Sequence, residues 1–151
     1  MKARVREWIR RYLPAEILSL VFTVAATLIT YQITHSRLST ALSGTWFGNI
    51  GYFGYILIAD IAHTQKVLGQ ADKRYTFSSF LKNIRALVAE FGIAELLDSF
   101  LVRPALMYYL PILTGSLLAG SVLAKFVADV TFYVPAIAGY ELTKSRLRKF
   151  D

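Results

Sequence analysis

The 151-residue chain has no cysteine, which excludes a disulfide framework, a thiolate nucleophile and any cysteine-ligated zinc or iron-sulfur site. Charge is scarce too. Only 18% of residues are Asp, Glu, Lys or Arg, against 55% hydrophobic and a mean hydropathy of +0.45, too little polar surface to coat a soluble globule. Acidic residues are the scarcer sign, ten against seventeen basic, for a formal net charge of +7. A basic excess raises nucleic-acid binding as a function class. Here the basic residues lie between apolar stretches rather than along one soluble face, so a membrane surface fits better and no nucleic-acid partner is expected. Also missing are a phosphate-cradling glycine loop, a Ser-His-Asp arrangement and a dinucleotide fingerprint. His35 and His63 fall at opposite membrane faces, too far apart to share a metal. Neither a cofactor nor a catalytic residue is expected, and an enzyme is the less favoured class.

What the chain does have is four apolar stretches, at about 15–34, 42–62, 88–113 and 117–140. Each reaches the roughly 20 residues a helix needs to cross a hydrocarbon core of about 30 Å. A spanning segment must satisfy its own backbone hydrogen bonds, and these runs lack the alternation of barrel strands. The expected fold class is therefore all-α: a polytopic membrane protein with four transmembrane helices. The first run follows Lys2 and several arginines, as a secretory signal would. It is longer than a usual h-region and no clear cleavage site follows, so it reads as a retained helix. The whole, 1–151, forms one membrane domain: an interfacial leader (1–14), a first helix pair (15–62), a cytoplasmic loop (63–87), a second helix pair (88–142) and a basic tail (143–151).

Orientation follows from Lys and Arg near the span ends, which cytoplasmic segments accumulate. The leader holds Lys2, Arg4, Arg6, Arg10 and Arg11, the middle loop Lys66, Lys73, Arg74, Lys82 and Arg85, and the tail Lys144, Arg146, Arg148 and Lys149. Between the first two spans there is only Arg37, and between the last two the uncharged Thr114-Gly115-Ser116 turn. Both termini and the middle loop are thus expected in the cytoplasm, in a cell inner (plasma) membrane. Within the leader, Val5, Trp8, Ile9, Tyr12 and Leu13 recur at helical spacing opposite the arginines, the pattern of a helix lying on an anionic surface, with Pro14 marking a change of direction. Positive-inside bias alone also accounts for those arginines.

A shift of 79 residues superimposes Ala15-Glu16-Ile17-Leu18 on Ala94-Glu95-Leu96-Leu97, Phe47 on Phe126, Phe53 on Phe132, Ala59 on Ala138 and Thr64 on Thr143. A two-plus-two repeat would relate the halves by a pseudo-two-fold axis along the membrane normal. Gly44, Gly48, Gly51 and Gly54 on the second helix, and Ala119, Gly120, Ala124 and Ala128 on the last, would permit close helix contacts.

Ionisable residues inside the spans point to function, because each is costly near the bilayer centre. Glu16 and Asp60 lie near the cytoplasmic ends of the first two spans; Glu90, Glu95, Asp98, Arg103, Lys125, Asp129 and Glu141 belong to the last two and their margins. Counting about 1.5 Å per residue puts Arg103 and Asp129 at one depth on antiparallel helices, with Lys125 one turn from Asp129. A triad of Arg103, Asp129 and Lys125 would carry surplus positive charge and suit a phosphate or carboxylate. Glu95 and Asp98, one turn apart, would instead neutralise the group if they pair with Arg103, leaving a salt-bridge network that only holds helices in register.

The Gly120-Ser121-Val122-Leu123-Ala124-Lys125-Phe126 segment and the Tyr140-Glu141-Leu142-Thr143-Lys144 ending, with four spans and basic cytoplasmic segments, resemble the GtrA-like family of small four-helix membrane proteins. The Asp98 to Pro104 segment has no counterpart in that pattern. The resemblance implies binding or translocation of an anionic, polyprenyl-phosphate-linked lipid, with Arg103 and Lys125 as phosphate contacts. The alternative is a non-catalytic subunit or assembly factor of a larger membrane complex, with membrane lipids, a membrane protein or a second copy as partners.

Overall fold

The computed structural model describes residues 2–146, with side chains as far as Leu142. The tail residues 147–151, and the side chains of 143–146, lie outside the described part. The described residues are almost entirely helical: α1 (Lys2–Thr34), α2 (Arg37–Gln70), α3 (Phe77–Leu97), a π-helical turn (Asp98–Val102), α4 (Arg103–Thr114) and α5 (Leu117–Arg146). The connections are short, so neighbours are antiparallel. At the first, the Ser36 side chain accepts from the Ser39 N–H and caps α2. At the last, Gly115 adopts φ 67°, the left-handed cap that glycine takes without Cβ strain.

Two expected boundaries are corrected. The leader is not a separate surface helix, because α1 runs through Pro14 without a break. Pro14 removes a single helical hydrogen bond, and the segment before it is held against the bundle: Trp8 Nε1 donates to Glu141 (3.1 Å) and Tyr140 OH to Glu7 (2.6 Å). The apolar stripe of Val5, Ile9 and Leu13 stays exposed and continues into Ile17 and Val21. The middle loop shrinks from 63–87 to the six residues between α2 and α3. On either side the helices continue with polar faces, joined by Thr64 Oγ1 donating to Asn83 Oδ1 (2.9 Å) and Asn83 Nδ2 to Tyr75 OH (3.0 Å).

Three helical segments are long and apolar enough to cross a membrane: Lys2–Thr34, Phe77–Thr114 and Leu117–Leu142. The second of these joins α3, the π turn and α4 into one rod. α2 is not among them, because it spends Thr40, Ser43, Gly44, Thr45, Gly48, Asn49 and Gly51 on its packed side. Gly48 lies against Ser19 and Thr23 of α1, Gly44 against Thr27 and Met107, and Gly51 against the backbone of Leu18. Small residues let two backbones approach where apolar solvent offers no hydrophobic drive. Gly120 meets the Pro111 backbone and Gly139 the Glu90 backbone in the same way, whereas Gly54 faces open space. An aromatic and alanine core fills the bundle interior: Tyr12, Ala15, Tyr52, Ile56, Phe91, Ala94, Phe132 and Ala136.

Gly48→Leu should therefore destabilise the detergent-solubilised protein by about 1–3 kcal/mol through overpacking of the α1–α2 contact. Gly54→Leu, with the same added volume, should leave the thermal melting midpoint within a degree or two of the parent.

Candidate functional site

The π turn sets the geometry of the principal polar cluster. Pro104 has no N–H to give, and the Arg103 N–H bonds the Asp98 carbonyl five residues back rather than the usual four. The widened turn puts Asp98 and Arg103 on one side of the rod, where Arg103 Nε donates to Asp98 Oδ2 at 2.7 Å. Arg103 Nη2 reaches across to Asp129 Oδ1 on α5 (2.9 Å), and Lys125 Nζ, one turn earlier on α5, donates to Asp129 Oδ2 (2.7 Å). The expected triad of Arg103, Asp129 and Lys125 is thus brought together, about 18 Å from the start of α5 at 1.5 Å per residue.

The expected surplus of positive charge is not. Lys125 Nζ also meets Glu16 Oε2 of α1 at 2.5 Å, and Tyr133 OH donates to Glu16 Oε1 at 2.7 Å. With Asp98 added, three carboxylates face two cations. Lys125 is 1% exposed and Arg103 5%, and every ion pair they make is internal. Glu16 was misjudged because residue counting put it near a helix end; α1 begins at Lys2, and the Lys125 side chain reaches along the bundle to it. Glu95 touches neither cation. Its Oε1 accepts from Asn49 Nδ2 of α2 (2.8 Å) and from the Ser99 hydroxyl, and Asn49 also donates to Ser99 Oγ (2.5 Å).

A second ionic cluster was missed, although its members were visible. Arg11 Nη1 and Nη2 grip both oxygens of Asp60 on α2 (2.7 and 3.3 Å), and the same guanidinium meets Glu90 on α3 at 2.9 Å. Tyr12 OH donates to Glu90 Oε1 (2.8 Å), and Arg11 lies over the Tyr140 ring (5.0 Å). Arg11 was grouped with the topology-setting leader arginines, yet it joins three helices. The signal that could have found it is the 79-residue shift, which carries Arg11 onto Glu90 and Tyr12 onto Phe91.

Above this cluster, at the end of the bundle that holds the start of α1, opens a vestibule of about 710 Å3. Arg6 and Arg10 line it with Glu7, Arg11, Asp60 and His63. Arg6 and Arg10 are exposed and make no ion pair among the described residues. At the opposite end a smaller pocket of about 320 Å3 is lined by Tyr31, Arg37, Met107 and Tyr108. Among the described residues no group of three or more His, Cys, Asp or Glu is arranged to hold a metal ion.

Fold and site together define an all-helical bundle with a paired ion network in its interior and three helical segments long and apolar enough to cross a membrane. Comparison with protein-family models, with curated proteins and with solved structures finds no match to the chain.

Lys125→Met leaves the Glu16 and Asp129 carboxylates facing one another without their shared cation, and should cost about 3–5 kcal/mol of stability. In the double variant Glu16→Gln with Lys125→Met the loss should be smaller than the sum of the two singles, as contacting residues are non-additive. Unfolding of all four proteins in one detergent measures both.

Proposed function

We propose that the chain is a four-span bundle that binds or translocates an anionic, phosphate-bearing lipid, and that the headgroup enters the vestibule at the start of α1. The observation that carries this is the pair Arg6 and Arg10, one turn apart on the vestibule rim and without ion-pair partners among the described residues. Arg11 beneath them is held by Asp60 and Glu90. A volume of about 710 Å3 falls in the range of small-molecule sites. Arg can hold phosphate bidentately. The polyprenyl-phosphate-linked lipids implied by the GtrA-like resemblance are one member of this class. Arg103 and Lys125 serve as helix-locking groups in this reading, since each is ion-paired to two carboxylates, Arg103 to Asp98 and Asp129 and Lys125 to Glu16 and Asp129.

Four spans are supported by the length of α2, 34 residues or about 51 Å at 1.5 Å per residue. Its exposed residues include Leu38, Leu42, Trp46, Phe47, Ile50 and Ile58, a surface suited to lipid. The two-plus-two repeat is supported by pairs 79 apart that meet, as equivalent residues do beside a two-fold axis: Arg11 with Glu90 at 2.9 Å, and the rings of Tyr12 and Phe91 at 6.1 Å. With four spans, the basic segments put both termini and the connection between α2 and α3 in the cytoplasm.

The subunit reading is favoured by a different observation, the internal ion pairing of both Arg103 and Lys125, which suits a bundle built to hold a shape beside a partner.

Arg6→Gln with Arg10→Gln should weaken binding to vesicles carrying phosphatidylglycerol or a polyprenyl phosphate by about 1 kcal/mol per arginine, roughly thirtyfold together. Unchanged affinity for both vesicle types would leave the subunit reading in its place. For topology, cysteines placed at Arg37 and Gly115 should react in intact cells with an impermeant thiol reagent, and one at Lys73 should not. The cysteine-free chain gives no background.

A further inference from the structure

We propose that Glu95 is an exchangeable proton-binding site in the interior of the bundle. This rests on the membrane-spanning reading but not on the vestibule.

The groups around Glu95 come from every helix. Asn49 and Tyr52 face it from α2, Glu16 from α1, Asp98 and Ser99 from the π turn, and Arg103 from α4, with Phe132 of α5 closing the side; Lys125, Asp129 and Tyr133 lie behind Glu16. Of the four carboxylates Glu16, Glu95, Asp98 and Asp129, only Glu95 has no salt bridge to Arg103 or Lys125. With all six groups ionised the set would carry two uncompensated negative charges in an apolar medium. Glu95 is partly buried among these groups with no cation paired to it, and a carboxyl held out of water in that position neutralises itself rather than remain an unpaired ion. Both hydrogen bonds to Glu95 end on Oε1, from Asn49 and Ser99, which leaves Oε2 as the oxygen that carries the proton.

A second observation gives that proton somewhere to go. Glu95, Glu16, Asn49, Tyr52 and Arg103 border a cavity of about 10 Å3, room for a single water. Tyr52, 5% exposed, lines the same cavity, and its hydroxyl makes no hydrogen bond of ordinary geometry although it lies beside Tyr133. A water there accepts the Glu95 proton as one of its own passes to Glu16. Glu95 becomes a carboxylate, Glu16 a carboxylic acid, the water is regenerated and total charge is unchanged. Glu16 in turn is bonded to Tyr133 OH, on the side of the bundle that leads toward Tyr12 and the vestibule. The ligand is thus a proton, held by a neutral carboxyl inside the bundle and exchanged through Glu16.

The test is infrared spectroscopy of the full chain in phospholipid nanodiscs, titrated with alkali. The expected result is a protonated-carboxyl C=O band at neutral pH that fades reversibly as pH rises and is absent from Glu95→Gln. Ser99→Ala keeps the carboxyl but removes a donor from Oε1, and should move the band to higher frequency. This second variant keeps the test decisive if Glu95→Gln fails to fold. A band absent at neutral pH, unaltered in folded Glu95→Gln, unmoved by Ser99→Ala, or fixed at all pH values where the protein stays helical would overturn the proposal. Vesicle binding by the Arg6 and Arg10 variants is read separately, so either proposal can fail alone.

Discussion

The bundle depends on the Lys125 ammonium, which has no solvent to turn to. At 1% exposure its charge is offset by Glu16 and Asp129, which stand on either side of it at 2.5 and 2.7 Å, and Asp129 remains its counter-ion when Glu16 holds a proton. Removing a charge from water is so costly that its partners must be in place whenever the helices are. That requirement fixes the height of α1 against α5. Asp129 then passes the constraint to Arg103, and Arg103 to Asp98, so one chain of ion pairs sets the relative heights of α1, α5 and the rod. Apolar side chains alone specify such heights weakly, since a helix sliding in lipid exchanges one apolar neighbour for another.

The close helix contacts make this chain of ion pairs reachable. Gly48 against Ser19 and Thr23, and Gly139 against the Glu90 backbone, bring the helix axes near enough for short acidic side chains to meet their partners. The Arg11 cluster repeats the device at the end of the bundle, where a single guanidinium ties α2 and α3 to α1. Packing and electrostatics are therefore not separate contributions here. Loss of a small residue at a crossing would lengthen ion pairs several residues away.

Much of this was legible in the sequence. Apolar run length and the absence of strand alternation pointed to helices, and depth counting joined Arg103, Asp129 and Lys125 correctly. What depth counting missed was partner number. It assumed that each helix starts where its apolar run starts, so Glu16 was set at an edge and the leader was set apart from the bundle. Helices continue past their apolar stretches when polar residues find partners, as Trp8 does with Glu141 and Thr64 with Asn83. No run-length criterion detects that. Arg11 was likewise hidden, because a basic residue before a span has a sufficient explanation in topology alone.

The wide turn at Asp98–Val102 has one more consequence. Buried positions along the rod recur every three or four residues through Ser79, Asn83, Ala86, Glu90, Ala94 and Asp98; at the wide turn Ser99 is buried beside Asp98, and the stripe resumes from Ser99 at the four-residue spacing through Arg103, Met107 and Pro111. The rod is thus two helices on one axis whose faces are offset in phase by a single residue. Its first half is indexed to the Arg11 cluster and its second half to Asp129, and the spare residue between them lets both alignments hold at once. A strictly α-helical rod of the same composition would have to forgo one alignment to keep the other, turned aside by about 100°.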